Sequence, residues 1–297
     1  MSLKIIGCSG SFYTAKQIAS GLKMEYIPVQ TRKFPDGEIY VRIEGRVEGD
    51  DVLIVQSLGR NPNDLLVELI FTSKTAREIG ANKIYAFLPY IAYARQDARF
   101  KEGECISINV IADLIEWAEI DEIITVDFHM HRKSPEEIFS IPIHNLTAME
   151  DLAEYVVNNY RFEKPLLVGP DEESEQWVKT FLKKMNAPYI ILRKTRLGDE
   201  AVEVVGEGLP KGIREAIVVD DIISTGGTLR ETALFLKKKG VKSIYAVVTH
   251  ALLATSSQYN LSEYSGIITT DSVVNPYAKI RVSDLFIKFY RRNKYDK

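Results

Sequence analysis

The chain has 297 residues, 45% hydrophobic and 27% charged, a size and balance that fit one large or two ordinary globular domains. Lys and Arg number 38 against 41 Asp and Glu, for a formal charge of −3. That balance argues against a nucleic-acid coat or a polybasic membrane binder, while leaving room for local basic pockets.

In chain order, short β-branched runs at 3–6, 52–55, 84–88 and 123–126 read as buried strands, and so do 166–168, 190–192, 217–219 and 244–248. Helical patterns lie between several of them, at 65–79, 106–118, 149–160, 174–184 and 228–239. Continuous apolar strands alternating with helices predict an α/β chain whose sheets are mainly parallel and flanked by helices. The longest stretch without formal charge, 245–262, turns to Thr, Ser, Gln and Asn in its second half and makes a poor membrane span. The N-terminal residues show no secretory h-region. Cys8 and Cys105 can form no disulfide framework and have no zinc spacing, so a reduced, cytoplasmic setting is expected.

The chain also repeats itself. Residues 76–87 read AREIGANKIYAF and 235–248 read FLKKKGVKSIYAVV, so Gly80 matches Gly240 and Ile84-Tyr85-Ala86 matches Ile244-Tyr245-Ala246. Upstream of each copy lie a strand, an eight-residue loop and a helix; the loops are QSLGRNPN (56–63) and DDIISTGG (220–227). Two copies of one α/β unit are expected, 1–145 and 146–297, with the boundary near the Pro and polar residues of 141–147. The first loop has neither the two carboxylates nor the Gly pair, which predicts one sugar-phosphate site per chain, on the second copy.

The segment AIVVDDIISTGGTL (216–229) carries the most chemistry. Open α/β sheets bind ligands at strand C-termini, and a glycine loop opening a helix favours a phosphate dianion. Gly226 and Gly227 permit close approach of the backbone, and Ser224, Thr225 and Thr228 can donate hydroxyls. Asp220 and Asp221 would repel phosphate and suit sugar hydroxyls or a metal instead. Helix capping explains one Asp and one Thr of this run, but not the whole of it. The segment resembles the phosphoribosyl-pyrophosphate-binding loop of type I phosphoribosyltransferases and ribose-phosphate pyrophosphokinases. The resemblance implies that residues Ser224, Thr225, Gly226, Gly227 and Thr228 hold the 5-phosphate of ribose 5-phosphate, and that Asp220 and Asp221 hold the ring hydroxyls.

Further segments resemble the pyrophosphokinases alone. By itself FPDGEIYVRI (34–43) is a Pro-Asp-Gly turn before an alternating strand. The resemblance implies that Phe34 stacks on adenine, that Asp36 and Glu38 accept from its amino group or a ribose, and that the segment reaches the ATP site of a neighbouring subunit in a homo-oligomer. PYIAYARQD (89–97) is similar to a family segment with Gly where this chain has Ala92, and implies ATP contacts from Arg95 and Gln96. The forked guanidinium suits that task. VDFHMH (126–131) matches a family Asp-Leu-His, which implies a place for His129 beside Mg²⁺-bound ATP; His131 has no match and reads as structural. Mg²⁺ prefers oxygen, so His129 is expected to hold a phosphate oxygen or a metal-bound water. LRKTRLGD (192–199) resembles the Lys-x-Arg catalytic loop, which implies that Lys194 and Arg196 are the catalytic cations.

VGPDEESEQW (168–177) departs from the pattern. Asp171 is kept, as an implied Mg²⁺ ligand, but Glu172–Ser174 replace the family's Gly pair and its basic residue is absent. Glu172, Glu173 and Glu175 are expected to cap the following helix. NPYAKIRVSDLF (275–286) again resembles the family. The whole implies two tandem phosphoribosyltransferase-like domains that move the diphosphoryl group of ATP to the C1 hydroxyl of ribose 5-phosphate with Mg²⁺, with no nucleic-acid or membrane partner. A phosphoribosyltransferase would share the Asp-Asp loop, but has no use for FPDGE or the Arg-Gln pair. A catalytically silent regulatory subunit would lose catalytic-loop residues, whereas Lys194, Arg196, Asp220 and Asp221 are all present.

Overall fold

The computed structural model describes residues 2–129, 132–197, 201–205, 209–210, 212–253 and 261–295, and only the backbone of 194–197, 201–205 and 294–295. The chain divides into two units, Met1–Leu146 with Arg281–Lys297, and Thr147–Ile280. The first unit runs β1 (Leu3–Gly7), α1 (Phe12–Leu22), β2 (Tyr26–Lys33), β3 (Ile39–Ile43), β4 (Asp51–Val55), α2 (Pro62–Glu78), β5 (Ile84–Leu88), α3 (Ser107–Trp117), β6 (Glu122–Val126) and β7 (Ile143–Leu146). The second runs α4 (Met149–Asn159), β8 (Pro165–Gly169), α5 (Glu175–Leu182), β9 (Tyr189–Ile191), β10 (Arg193–Leu197), β11 (Ala201–Val205), β12 (Glu215–Ile223), α6 (Gly227–Lys238), β13 (Ser243–Ala251), β14 (Gly266–Thr270) and β15 (Ala278–Ile280). The last helix, α7 (Val282–Tyr295), belongs to the first unit.

The first sheet has the order β3-β2-β1-β4-β5-β6-β7 and is parallel throughout except for the β2–β3 hairpin. The second, β15-β14-β13-β12-β8-β9, is parallel throughout, and β10 and β11 form a separate antiparallel pair. Read from its other edge, the second order matches β2-β1-β4-β5-β6-β7 strand for strand. Register agrees as well. Val52 pairs with Ile84 as Ala216 pairs with Ile244, and Lys4 pairs with Val52 as Leu166 pairs with Ala216. The matched glycines do the same work in both copies: Gly80 (φ 95°) and Gly240 (φ 92°) stop α2 and α6 in the left-handed region. The next amide then bonds back to the carbonyl five residues earlier, Ala81 to Ala76 and Val241 to Leu236.

Apolar runs fill both cores. Ile5, Leu53, Ile54 and Phe87 are fully buried in the first unit, and Leu166, Val168, Val218 and Ala246 in the second. Each such Leu, Ile or Phe contributes about 1.5–3 kcal/mol of burial.

One assignment differs from the expected division: residues 281–297 fold with the first unit, not the second. The physical reason is packing. The Phe286 ring lies 5.0 Å from that of Phe87 on β5, and the Phe289 ring 5.0 Å from that of His144 on β7. Ser283 Oγ donates to Gln17 on α1 at 2.8 Å, and Arg291 donates to the Gly21 carbonyl at 2.9 Å. The second unit fills the equivalent place with α4, which packs on α5 and on β13, β14 and β15. Each repeat is therefore covered by the helix that follows the other repeat's last strand. Replacing Phe286, 2% exposed, by Ala should lower unfolding free energy by about 3–5 kcal/mol. Hydrogen exchange should show the lost protection in α1, β5 and β7, with the strands of the second unit unaffected.

Candidate functional site

In the second unit, β12 continues past its pairing with β8, which ends at Val218, and stays paired with β13 to Ala251. Asp220 and Asp221 therefore lie within the strand, where the sequence pattern had ended it at 219. They are 8% and 2% exposed, and Asp220 Oδ1 accepts from the Asp221 amide at 3.0 Å. Burial first, and then the Asp220 charge, push the Tyr264 hydroxyl well above its ordinary value, so it stays protonated and donates to the Leu229 carbonyl at 2.6 Å. That bond fixes the first turn of α6 beside the acidic pair.

The loop after the pair is short, 224–226, and turns on Gly226 in the left-handed region (φ 83°). Thr225 is exposed, and its Oγ1 accepts from the Gly227 amide at 3.4 Å. The helical ladder begins with the Arg230 amide on the Gly226 carbonyl, at 2.9 Å. Residues 227–229 precede that first ladder bond and stand at the positive end of the helix dipole, beside the loop. Ser224 and Thr228 lie on either side of Gly226 and are partly exposed.

Asp171 follows β8, the strand next to β12. It begins a single 3-10 turn, Glu172–Ser174, and its Oδ1 accepts from the Ser174 amide at 3.3 Å. The cap acceptor is thus Asp171 itself, with Glu172 and Glu173 in the first turn, where negative charge is favoured. Arg193 Nε stands 3.1 Å from Glu172, so a cation does approach this acidic turn. Lys194 and Arg196 occupy alternate positions of β10, opposite Val204 and Val202, so their Cα–Cβ bonds leave one face of the strand. Their side chains lie outside the described residues.

In the first unit, Arg95 and Gln96 follow β5 and His129 follows β6, the neighbouring strand. Glu104 shapes the Arg95 loop. Its Oε2 accepts from the amides of Phe100 (2.9 Å) and Lys101 (3.0 Å) and from Gln96 Nε2 (3.2 Å). Asp97, 2% exposed, takes Arg132 Nη1 at 2.6 Å and so ties this loop to the one after His129. His131 lies outside the described residues.

Phe34, Asp36 and Glu38 form the tip of the β2–β3 hairpin. The Phe34 amide donates to the Glu38 carbonyl (2.8 Å), and the Glu38 amide donates to Asp36 Oδ1 (3.1 Å). The Arg32 guanidinium lies 4.3 Å from the centre of the Phe34 ring and 4.5 Å from that of Tyr40. The hairpin leaves the sheet three strands from β5, roughly 14 Å across. The structure thus brings Arg95 and Gln96 to the strand end beside His129, and sets Phe34, Asp36 and Glu38 apart from them. Sequence reasoning missed Asp97, Arg132 and a fully buried Glu68 in α2. For Glu68 the signal was a lone acid among the leucines of an apolar helix face.

A buried acidic strand end, a Ser/Thr/Gly loop and a helix N-terminus on a parallel sheet define an α/β unit of the phosphoribosyl-binding class, and residues 136–278 match the phosphoribosyl transferase domain. Residues 3–118 match the N-terminal domain of ribose phosphate pyrophosphokinase. The chain is 35% identical over 281 residues to the ribose-phosphate pyrophosphokinase of Methanopyrus kandleri, covering 94% of this chain and 95% of that one. It is 36% identical over 283 residues to that of Methanothermobacter thermautotrophicus, covering 95% and 97%. The phosphoribosylpyrophosphate synthetase structure from Mycobacterium smegmatis superposes with a TM-score of 0.87 at 26% identity, covering all of both chains. The chain belongs to the ribose-phosphate pyrophosphokinase family.

Glu104 gives this site a pH dependence. Hydrogen bonds from backbone amides, Lys101 first, lower its pKa, so the loop contact is present above the ordinary carboxylate range and is lost as pH falls through the lowered value. The amide resonances of Phe100 and Lys101 should titrate together with a midpoint below 4.5, the ordinary Glu value.

Proposed function

We propose that the chain makes 5-phosphoribosyl 1-pyrophosphate and AMP from ribose 5-phosphate and ATP. The observation that carries this reading is the buried Asp220-Asp221 pair beside the first turn of α6. The two features ask for opposite ends of one ligand. The turn favours a dianion, and the carboxylates, which would repel it, accept hydrogen bonds from sugar hydroxyls. Ribose 5-phosphate carries both ends. Ser224, Thr225, Gly226, Gly227 and Thr228 take its phosphate, and Asp220 and Asp221 take its ring.

The C1 oxygen of the bound sugar attacks the β-phosphorus of ATP. A new O–P bond forms, the bond from that phosphorus to the α,β-bridging oxygen breaks, AMP leaves with that oxygen, and the proton of the C1 hydroxyl passes to water. Such transfers have loose transition states and depend on position and charge more than on a strong base. Lys194 and Arg196, on one face of β10, are assigned to the charge on the moving diphosphoryl group. Arg95 and Gln96 bind ATP, and Phe34, Asp36 and Glu38 read its base.

Among the described residues, no three His, Cys, Asp or Glu side chains stand close enough to hold a metal by themselves. That fits Mg²⁺, which takes one or two carboxylates and completes its shell with water and substrate phosphates. Asp171 would supply a carboxylate, and His129 would hold a phosphate oxygen or a bound water. When bound, the ion neutralises phosphate charge. The separation of the Phe34 hairpin from Arg95 within one sheet supports a homo-oligomer in which one copy's hairpin serves another copy's ATP loop. Among the described residues no helix is long and apolar enough to cross a membrane; a cytoplasmic setting suits phosphorylated substrates.

Chromatography of a reaction with ribose 5-phosphate, ATP and Mg²⁺ should show AMP and phosphoribosyl pyrophosphate rising in equal amounts; ADP in place of AMP would refute diphosphoryl transfer. Lys194→Ala should lower kcat by about 10²–10³-fold with a much smaller change in KM for ribose 5-phosphate. An unchanged kcat removes Lys194 from the transition state.

A further inference from the structure

The acidic strand end of the second unit has a counterpart in the first that carries no charge. With the strand registers matched, Gln56 stands where the second unit has Asp220, Ser57 where it has Asp221, and Ser9 where it has Asp171. Counted back from the matched helix stops Gly80 and Gly240, Glu68 of α2 corresponds to Thr228 in the first turn of α6, and Thr72 to Thr232. At that position the first unit has a carboxylate.

Glu68 is 1% exposed. Its oxygens accept from the Ser9 amide (2.9 Å) and from the Ser9 hydroxyl, from Thr31 Oγ1 (2.6 Å) and from Gln56 Nε2 (3.0 Å). These donors come from three separate segments: the loop after β1, strand β2 and the end of β4. Gly10 donates its amide to Gln56 Oε1 at 2.9 Å, which turns the amide's NH₂ toward Glu68. All four donors are neutral. A desolvated carboxylate is tolerated in such a place only because its lone pairs are filled by charge-assisted hydrogen bonds. The charge pattern is exchanged between the copies. The second unit has carboxylates on the strand end and a neutral Thr228 on the helix; the first has a neutral strand end and a carboxylate on the helix. An Asp at position 56 would set two buried like charges against each other, so the two changes belong together.

We propose that Glu68 is a resident anion: the chain's own carboxylate fills an oxyanion pocket of the first unit, at the place where the second unit's equivalent loops take a phosphorylated substrate, and closes that pocket to a sugar phosphate while leaving the Arg95 loop open to its own ligand. The parallel with the second unit rests on the function proposed above; the pocket rests on the four donors.

The test removes the anion and returns it from solution. Glu68→Ala leaves every donor in place, and acetate carries the deleted carboxylate. Circular-dichroism melts at neutral pH compare sodium chloride with sodium acetate at equal ionic strength. The variant should melt below the parent in chloride, and acetate at ~100 mM should raise its midpoint by about 2–4 °C while leaving the parent unmoved. If the variant does not fold in chloride, acetate should restore its helical signal. A midpoint or signal that acetate leaves where chloride does overturns the proposal. Glu68→Gln, which keeps the shape without the charge, should also melt below the parent; equal stability overturns the proposal too. The melts use neither ATP nor ribose 5-phosphate. Failure of the proposed reaction therefore leaves their result intact, and a failed rescue leaves the reaction untouched.

Discussion

A parallel sheet points every strand end the same way, and the chemistry assigned to this chain depends on that constraint. Antiparallel hairpins would alternate their loops between two edges. Here the crossovers return each strand in the same direction, so in each unit the loops after adjacent strands open on one edge. In the second unit that edge holds Asp171, the Asp220-Asp221 pair and the turn into α6. In the first it holds the Arg95 loop and His129. The one antiparallel pairing of the first sheet, β2 with β3, makes a hairpin that extends Phe34 away from the strand ends beside it.

Much of this was legible because it is local. Apolar runs of four or five residues named the strands, and Gly80 and Gly240 marked helix stops through a backbone conformation that other residues avoid. The chemistry of DDIISTGG was readable for the same reason, since a strand, an acidic pair and a glycine turn act over a dozen residues. What was not legible depends on partners distant in sequence. The strand holding Asp220 and Asp221 is prolonged by β13, about thirty residues on, and no property of 216–223 alone announces it. Helices α1 and α7 were not expected from the pattern either. An amphipathic helix declares that it has an apolar face, but not which sheet that face will cover.

The two copies also show how a repeated scaffold can carry different chemistry. Their strand order and register agree, so the difference lies in a handful of side chains at the strand ends. Where the second unit keeps exposed Thr225 and a glycine turn, the first has Asn61 in the left-handed region and Pro62 opening α2. Pro62 has no amide hydrogen to offer a ligand. The same framework therefore supports a turn that can receive phosphate in one copy and a turn without that donor in the other.

The placement of α7 has a consequence for the order in which the protein can be made. Synthesis is vectorial, and domains ordinarily fold as they emerge from the ribosome. The second unit has its covering helix, α4, ahead of its own strands, so all of its parts have emerged by Ile280. The first unit, although translated first, must keep the face of β5 and β7 uncovered until Phe286 and Phe289 emerge after the whole of the second unit. The earliest-made half is thus the last to be completed, and a nascent chain that stalls late presents an unfinished first unit to the chaperones around it.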